Sequence, residues 1–209
     1  MMRRAGRGRR RVALAALLLG TGLWGASLLT AVLWSDRAEA AGPDLWALLQ
    51  QGGQVVLMRH GVTFPETSEP PGARVDVCST QRNLSEAGRE EARKVGAAFR
   101  AHGIPVGKVL SSRWCRCLDT ARLAFGKVEP WPDLEFAGFS DSPEKRRREG
   151  VLRRLAGQRP EQGNTILVTH GFVIQAILQE SAGTAEVFVL TPQADGTFRL
   201  AGSLRPTDL

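Results

Sequence analysis

Cysteine is scarce, and acid is missing from the front of the chain. Three cysteines in 209 residues do not pair off evenly and are too few for a disulfide-scaffold miniprotein. Metal-ligand spacing is absent, since Cys115 and Cys117 would point to different sides of a helix. Residues 41–209 contain no repeat of solenoid length and no low-complexity tract. With 43% hydrophobic and 23% charged residues, the chain is neither a disordered polar polymer nor a multi-span membrane protein. Its length suits one domain with a real core. The balance of 28 Lys+Arg against 21 Asp+Glu, a net +7, invites a polyanion partner unless the charge is localised elsewhere.

Much of it is localised at the start. Residues 1–11 carry six arginines and no acid, and residues 12–34 carry no charge at all. Ala38-Glu39-Ala40 then fits a small-x-small cleavage site, completing the grammar of a secretory signal. The apolar stretch is also long enough to span a bilayer, with Trp34 at the outer interface. Residues 1–40 are therefore expected to be a signal peptide or an N-terminal signal anchor, with membrane anchoring through residues 12–34 in the second case. Either reading puts residues 41–209 in the periplasm or on the extracytoplasmic face of the membrane. Without the leader, 21 basic and 19 acidic side chains remain, a net +2. Nucleic acid is then not an expected partner.

In residues 41–209 apolar runs alternate with helical periodicity. Helices are expected over 43–51, 86–101 (capped by Ser85), 114–125, 143–157 and 172–180. Buried strands are expected over 55–58, 108–111 and 165–168, with a terminal pair over 186–190 and 197–201 turning at Asp195-Gly196. Pro65, Pro70, Pro71 and Gly72 make 62–82 a loop. The alternation predicts an α/β layered domain with a mostly parallel central sheet flanked by helices.

Two of the three histidines share one setting. Val55-Val56-Leu57-Met58-Arg59-His60-Gly61 and Thr165-Ile166-Leu167-Val168-Thr169-His170-Gly171 each read as buried strand, polar residue, histidine, glycine. Both histidines thus emerge at strand carboxyl ends, the edge where open α/β sheets gather ligands. A third strand end, Ser111-Ser112, leads into a helix whose first turn carries Arg116. Free backbone N–H groups and the helix dipole favour an anion there, and a guanidinium adds a fork suited to phosphate. Because Trp114, Cys117, Leu118, Ala121 and Phe125 form the apolar stripe, Arg116 is not required for packing. His102, at a helix end before Gly103, reads as a dipole-compensating residue.

Arg59-His60-Gly61, Ser-Ser-x-x-x-Arg-x-x-x-Thr-Ala around Arg116, and Val168-Thr169-His170-Gly171 resemble the histidine phosphatase superfamily. Asn83-Leu84-Ser85-x-x-Gly88 is similar to a further segment of that family, and the resemblance runs over about residues 53–180. It implies a phosphoglycerate-mutase-like three-layer sandwich and a phosphatase that hydrolyses phosphomonoesters through a phosphohistidine intermediate. His60 would be the nucleophile, its other nitrogen holding a proton against a backbone carbonyl. Arg59, Arg116 and a protonated His170 would surround the phosphoryl oxygens, with Gly61 and Gly171 completing the phosphate site. No cofactor or metal is implied, so the expected enzyme is a metal-independent histidine acid phosphatase-type phosphomonoesterase. Its partner would be a phosphorylated small molecule or an envelope phosphate ester.

The chain departs from the family pattern at Val62, where Glu is frequent, and at Arg113, where proline is common. The proton donor is the larger departure. The loop Trp131-Pro132-Asp133-Leu134-Glu135-Phe136 makes Glu135 the first candidate, with Asp133 and Asp141 as alternatives. Outside the cytoplasm thiols oxidise, and a Cys78–Cys115 bridge with Cys117 left as a buried thiol is expected; three unpaired thiols are the alternative. The competing functions are a phosphoglycerate-mutase-type phosphotransferase and a catalytically degenerate phosphate-binding envelope module.

Overall fold

Val55–Arg59 (β1) is an apolar run whose alternate side chains go to opposite faces, and both faces are covered. The computed structural model describes residues 44–64 and 68–209; the leader, including 12–34 and the candidate cleavage site, lies outside the described residues. Val56 and Met58 enter one core with Leu49, Val95, Phe99, Cys117 and Ala121. Val55 and Leu57 enter the other with Leu134, Leu152, Ala156, Ile174 and Ile177. All four strand residues are fully buried, and each contributes about 1.5–3 kcal/mol by leaving water. An unbroken apolar strand in a polar chain therefore requires helices on both sides of it.

The helices that supply those covers are local in origin. Leu45–Gln51 (α1) starts at Asp44, whose carboxylate accepts from the Trp46 and Ala47 N–H groups. Glu86–Ala101 (α2) is capped by Ser85, which accepts from Gly88 N–H. Cys115–Phe125 (α3) ends at Gly126 in the left-handed region, and Pro143–Gly157 (α4) has Ser142 as its cap and proline in its first turn. Gly171–Leu178 (α5) has His170 as its N-cap. The first three pack on one face of the sheet and the last two on the other. None of the described helices is long and apolar enough to cross a membrane.

The remaining strands are Thr63–Phe64 (β2), Asn83–Leu84 (β3), Val106–Ser111 (β4), Glu129–Pro130 (β5), Asn164–Thr169 (β6), Val187–Pro192 (β7) and Phe198–Leu204 (β8). Six of the eight form one sheet in the order β5-β4-β6-β1-β7-β8. The β5, β4, β6 and β1 neighbours are parallel, whereas β7 and β8 extend the sheet antiparallel. This is the α/β architecture with a mostly parallel sheet that the alternation predicts. The 62–82 segment is not wholly loop: β2 and β3 pair antiparallel at its two ends. Pairing of Arg59 with Thr169 in the β1–β6 register brings the two strand ends side by side, and Ser111 of β4 pairs with Val168 of β6. Three neighbouring strands thus end at one crest of the sheet, which is where the polar residues collect.

Candidate active site

His60 leaves β1 with its backbone N–H bonded to Thr169 O at 3.0 Å, and His170 leaves β6 beside it. Their ring centroids are 5.6 Å apart, and both residues are buried. His60 Nδ1 lies 2.7 Å from the Gly61 carbonyl. A carbonyl only accepts, so Nδ1 carries the proton and donates to it. Burial, together with the nearby Arg116 and Arg59 cations, pulls the His60 pKa down to about 3. The ring is therefore neutral at neutral pH, and Nε2 keeps its lone pair.

His170 differs from the sequence expectation. Burial first, then the charges of its neighbours, hold its pKa well below the usual histidine range, so in this unliganded site it is neutral rather than protonated. Its ring is fixed from both sides. Arg116 Nη2 donates to Nδ1 at 3.3 Å, so Nε2 carries the proton and donates to Ser112 Oγ at 2.9 Å. Ser112 belongs to the Ser-Ser turn after β4, so the third strand end orients the second histidine.

Arg116, in the first turn of α3, is not a solvated helix residue: it is 5% exposed, with its guanidinium 4.8 Å above the Trp114 ring. Its Nη1 lies 2.6 Å from Glu69 Oε1. That ion pair occupies Nη1, whereas Nε is buried without a hydrogen-bond partner. Arg59 reaches the same place from β1. Its Nη1 donates to Ala182 O at 2.7 Å, and its Nε is likewise buried without a partner. Gly171 makes room for this guanidinium, because a Cβ there would lie 3.3 Å from Arg59 Nε. Buried N–H donors without acceptors are costly unless an anion arrives to receive them.

These side chains line a cleft of about 420 Å³ together with Glu69 and Arg82. Glu69 accepts from Arg82 Nε at 3.0 Å and from the Arg82 backbone N–H at 3.1 Å while touching Arg116. The carboxylate thus sits between two guanidiniums, where an anionic ligand would be received. Sequence reasoning missed Glu69 because no motif or periodicity marks it within 62–82; its partner Arg116 is 47 positions away.

The three acids named from the sequence are placed elsewhere. Glu135 is buried, but Arg113 Nε donates to it at 2.5 Å and Arg148 Nη1 at 3.3 Å, and it does not line the cleft. Asp133 pairs with Arg147 at 2.6 Å, and Asp141 pairs with Arg146. In each case an arginine from the segment 113 or 146–148 holds the acid in a structural ion pair. Gly61 also differs from its expected role. Its N–H donates to Thr120 Oγ1 at 3.1 Å and is committed within the fold. Gly171 does line the cleft, at the start of α5, which has no side-chain cap.

Cys78 and Cys115 form a disulfide with Cα atoms 5.6 Å apart. Cys115 is buried, and Gln81 Oε1 accepts from its backbone N–H at 2.9 Å. Cys117 is a buried thiol, its pKa pushed up to about 12 by burial. Among the described residues no group of three or more His, Cys, Asp or Glu could hold a metal ion. His102 caps α2, as its position suggests, and stacks on Trp46 at 4.0 Å.

Comparison with known proteins agrees with this geometry. Residues 55–139 match the histidine phosphatase superfamily (branch 1). No curated protein sequence matches the chain. Among solved structures, a phosphoserine phosphatase from Entamoeba histolytica superposes with a TM-score of 0.57 at 16% identity, covering 75% of this chain and 98% of that one. The protein histidine phosphatase SixA in complex with tungstate gives 0.53 at 16% identity, over 74% and 98% of the two chains. A mycobacterial glucosyl-3-phosphoglycerate phosphatase in complex with VO3 gives 0.51 at 19% identity, over 70% and 96%. At these identities the superpositions speak for the fold, which is phosphoglycerate-mutase-like. The family match covers β1, α2 and α3 with His60 and Arg116, and the fold brings His170 to them.

Proposed function

We propose that the chain is a phosphomonoesterase working through a phosphohistidine at His60. The observation that carries this reading is the His60 ring with Nδ1 against the Gly61 carbonyl, leaving Nε2 free beside the Arg59 and Arg116 guanidiniums, whose buried Nε atoms have no hydrogen-bond partner. In the first step the P–N bond to His60 Nε2 forms as the ester P–O bond breaks, and the departing oxygen takes a proton. In the second, water attacks phosphorus, the P–N bond breaks, and inorganic phosphate leaves. Arg59 and Arg116 neutralise charge on the phosphoryl oxygens and supply what a metal would otherwise provide, so no metal is required. A phosphate dianion in the cleft offsets the cations around His170, favouring its protonation and adding a further donor.

Glu69 is the carboxylate positioned to serve the leaving group. An incoming phosphate displaces it from Arg116; the freed Glu69, protonated from solvent, gives its proton to the leaving oxygen and, now a carboxylate, takes one back from the attacking water. The substrate is a phosphate ester available outside the cytoplasm, if the leader exports the domain. The similar structures include phosphatases of phosphoserine and of glucosyl-3-phosphoglycerate, which supports a phosphorylated small molecule as substrate.

The deciding experiment is p-nitrophenyl phosphate hydrolysis in EDTA by the chain and by His60→Ala. Wild-type turnover with at least a thousandfold loss in the variant is expected, together with an acid-labile phosphoenzyme absent from the variant. Equal rates in the two proteins would sink the enzyme reading. The engagement of Glu135 by Arg113 and Arg148 favours, as a second reading, a phosphate-binding module without turnover. That reading predicts vanadate stabilisation of both proteins and hydrolysis by neither.

A further inference from the structure

The cleft is wider than a phosphoryl group needs, and the part beyond the arginines is aromatic. Phe136, Phe139 and Phe172 come from two segments and meet in one cluster, with centroids 4.8 Å apart for 136–139, 5.3 Å for 136–172 and 4.8 Å for 139–172. Phe136 roots the cluster, packing against the core on the α4–α5 side of the sheet. The other two rings extend it into solvent: Phe139 is 74% exposed and Phe172 53%. All three line the same cleft as His60 and Arg116.

Rings this exposed gain little by folding and recover their hydration cost only when something apolar covers them. The occupant is defined by continuity with the phosphate site. Phe172 directly follows His170-Gly171, so whatever is esterified to a phosphate held by His170 and the arginines leaves that site along the aromatic wall. The same lining offers little to a sugar. Apart from the two histidines, its uncharged polar side chains among the described residues are Gln175 and Ser181. A polyhydroxylated leaving group would lose more water-facing hydrogen bonds than two side chains return.

The geometry points to phosphomonoesters of aromatic or extended apolar alcohols as the substrate class, with Phe139 and Phe172 as the specificity-determining residues. This rests on the phosphomonoesterase reading. The reaction is R–O–PO3 plus water giving R–OH plus phosphate: phosphorus moves to His60 and then to water, and oxygen stays with R. The aromatic wall grips R in both substrate and transition state.

Primary alkyl phosphates test this without confusion from leaving-group chemistry. The chain is given 2-phenylethyl phosphate, glycerol 3-phosphate and glucose 6-phosphate, and kcat/KM is compared. A preference of at least tenfold for the phenylethyl ester is expected, with Phe139→Ser and Phe172→Ser each lowering that ratio about tenfold, as loss of one aromatic contact implies. Phe139→Trp, which keeps an aromatic face, retains the preference. Turnover of all three esters without preference, or a preference that survives both serine variants, overturns the proposal and leaves the phosphatase reading standing. That second outcome would also mean that the exposed rings serve a protein or membrane contact. No turnover of any ester overturns both.

Discussion

His60 and His170 are buried bases kept neutral among arginines, and this makes folding stability depend on pH. An unfolded histidine titrates near 6.5, whereas burial lowers the folded His60 value to about 3 and the His170 value well below 6.5. Below pH 6.5 the unfolded chain therefore binds protons that the native site refuses, and stability falls as pH falls. His60 contributes up to about 1.4 kcal/mol per pH unit below that point, so the step from pH 6.5 to 5 costs about 1.5–2 kcal/mol through His60, and His170 acts in the same direction. Urea midpoints at the two pH values should show this loss, and His60→Asn should remove the His60 part of it. A midpoint that does not move between pH 6.5 and 5 would contradict the neutral pair. The acids give an equally sharp contrast. Glu135→Gln removes the charge held by Arg113 and Arg148 and should cost about 1–3 kcal/mol of stability with kcat changed less than threefold. Glu69→Gln should also cost some stability, because it leaves buried Arg116 without its counter-charge, but unlike Glu135→Gln it should lower both KM and kcat, since the same group competes with phosphate for Arg116 and moves the proton. Steady-state kinetics beside urea titrations separate the two. Arg59, His60, Arg116 and His170 are legible in the sequence because each sits beside a strand end or helix start that local pattern marks. The carboxylate is not, because which acid meets which arginine depends on pairings such as Glu69 with Arg116 and Glu135 with Arg148, settled only by the fold.

Helix α2 bears on the site through its first turn rather than through a catalytic side chain. Val62 O accepts from the Ser85 N–H at 3.0 Å, and a Cβ on Gly88 would lie 2.1 Å from that same oxygen. Backbone meets backbone there, so no side-chain rotation relieves the clash. Gly88→Ala should cost about 1–3 kcal/mol and lower turnover by displacing Val62, two residues from His60. Full activity in Gly88→Ala would show that this close approach does not matter. The Cys78–Cys115 bridge acts on the other side of the cleft. It closes a separation of 37 residues and fastens the 62–82 segment to the start of α3, next to Arg116. Reduction should cost about 3–4 kcal/mol on the chain-entropy view and lower kcat/KM, measurable by thermal unfolding and hydrolysis with and without dithiothreitol. The regular elements were readable to within a few residues because caps and apolar periodicity are local properties: Ser85 opens α2, and Pro143 opens α4. Strands β2, β3 and β5 are not, since two residues hold no period and their pairing follows from which segments the fold brings together.

Charge in the full chain divides by location, and the division bears on where the protein works. Seven arginines lie in residues 1–40 against Asp36 and Glu39, leaving a nearly neutral remainder. Within that remainder half-buried Arg59 and buried Arg116 line one cleft rather than being spread over the surface for a polyanion. We propose that the arginine-rich start, followed by residues 12–34 without charge, acts as an export leader that holds the N-terminus in the cytoplasm and sends the rest across the membrane. Export and the disulfide then make one joint prediction, because thiols such as Cys78 and Cys115 stay reduced in a cytoplasm and pair outside it. In a bacterial host, chain carrying residues 1–40 should be recovered with one free thiol, Cys117, alkylated only after denaturation. Chain starting at residue 41 should be recovered from the cytoplasm with three. Intact mass settles the fate of the leader in the same sample: a product starting at residue 41 means cleavage, and full-length chain in the membrane fraction means an anchor. Full-length chain with three free thiols in the soluble cytoplasmic fraction would defeat export. The phosphate site, formed from β1, β6 and α3, would then have to be tested on cytoplasmic esters instead.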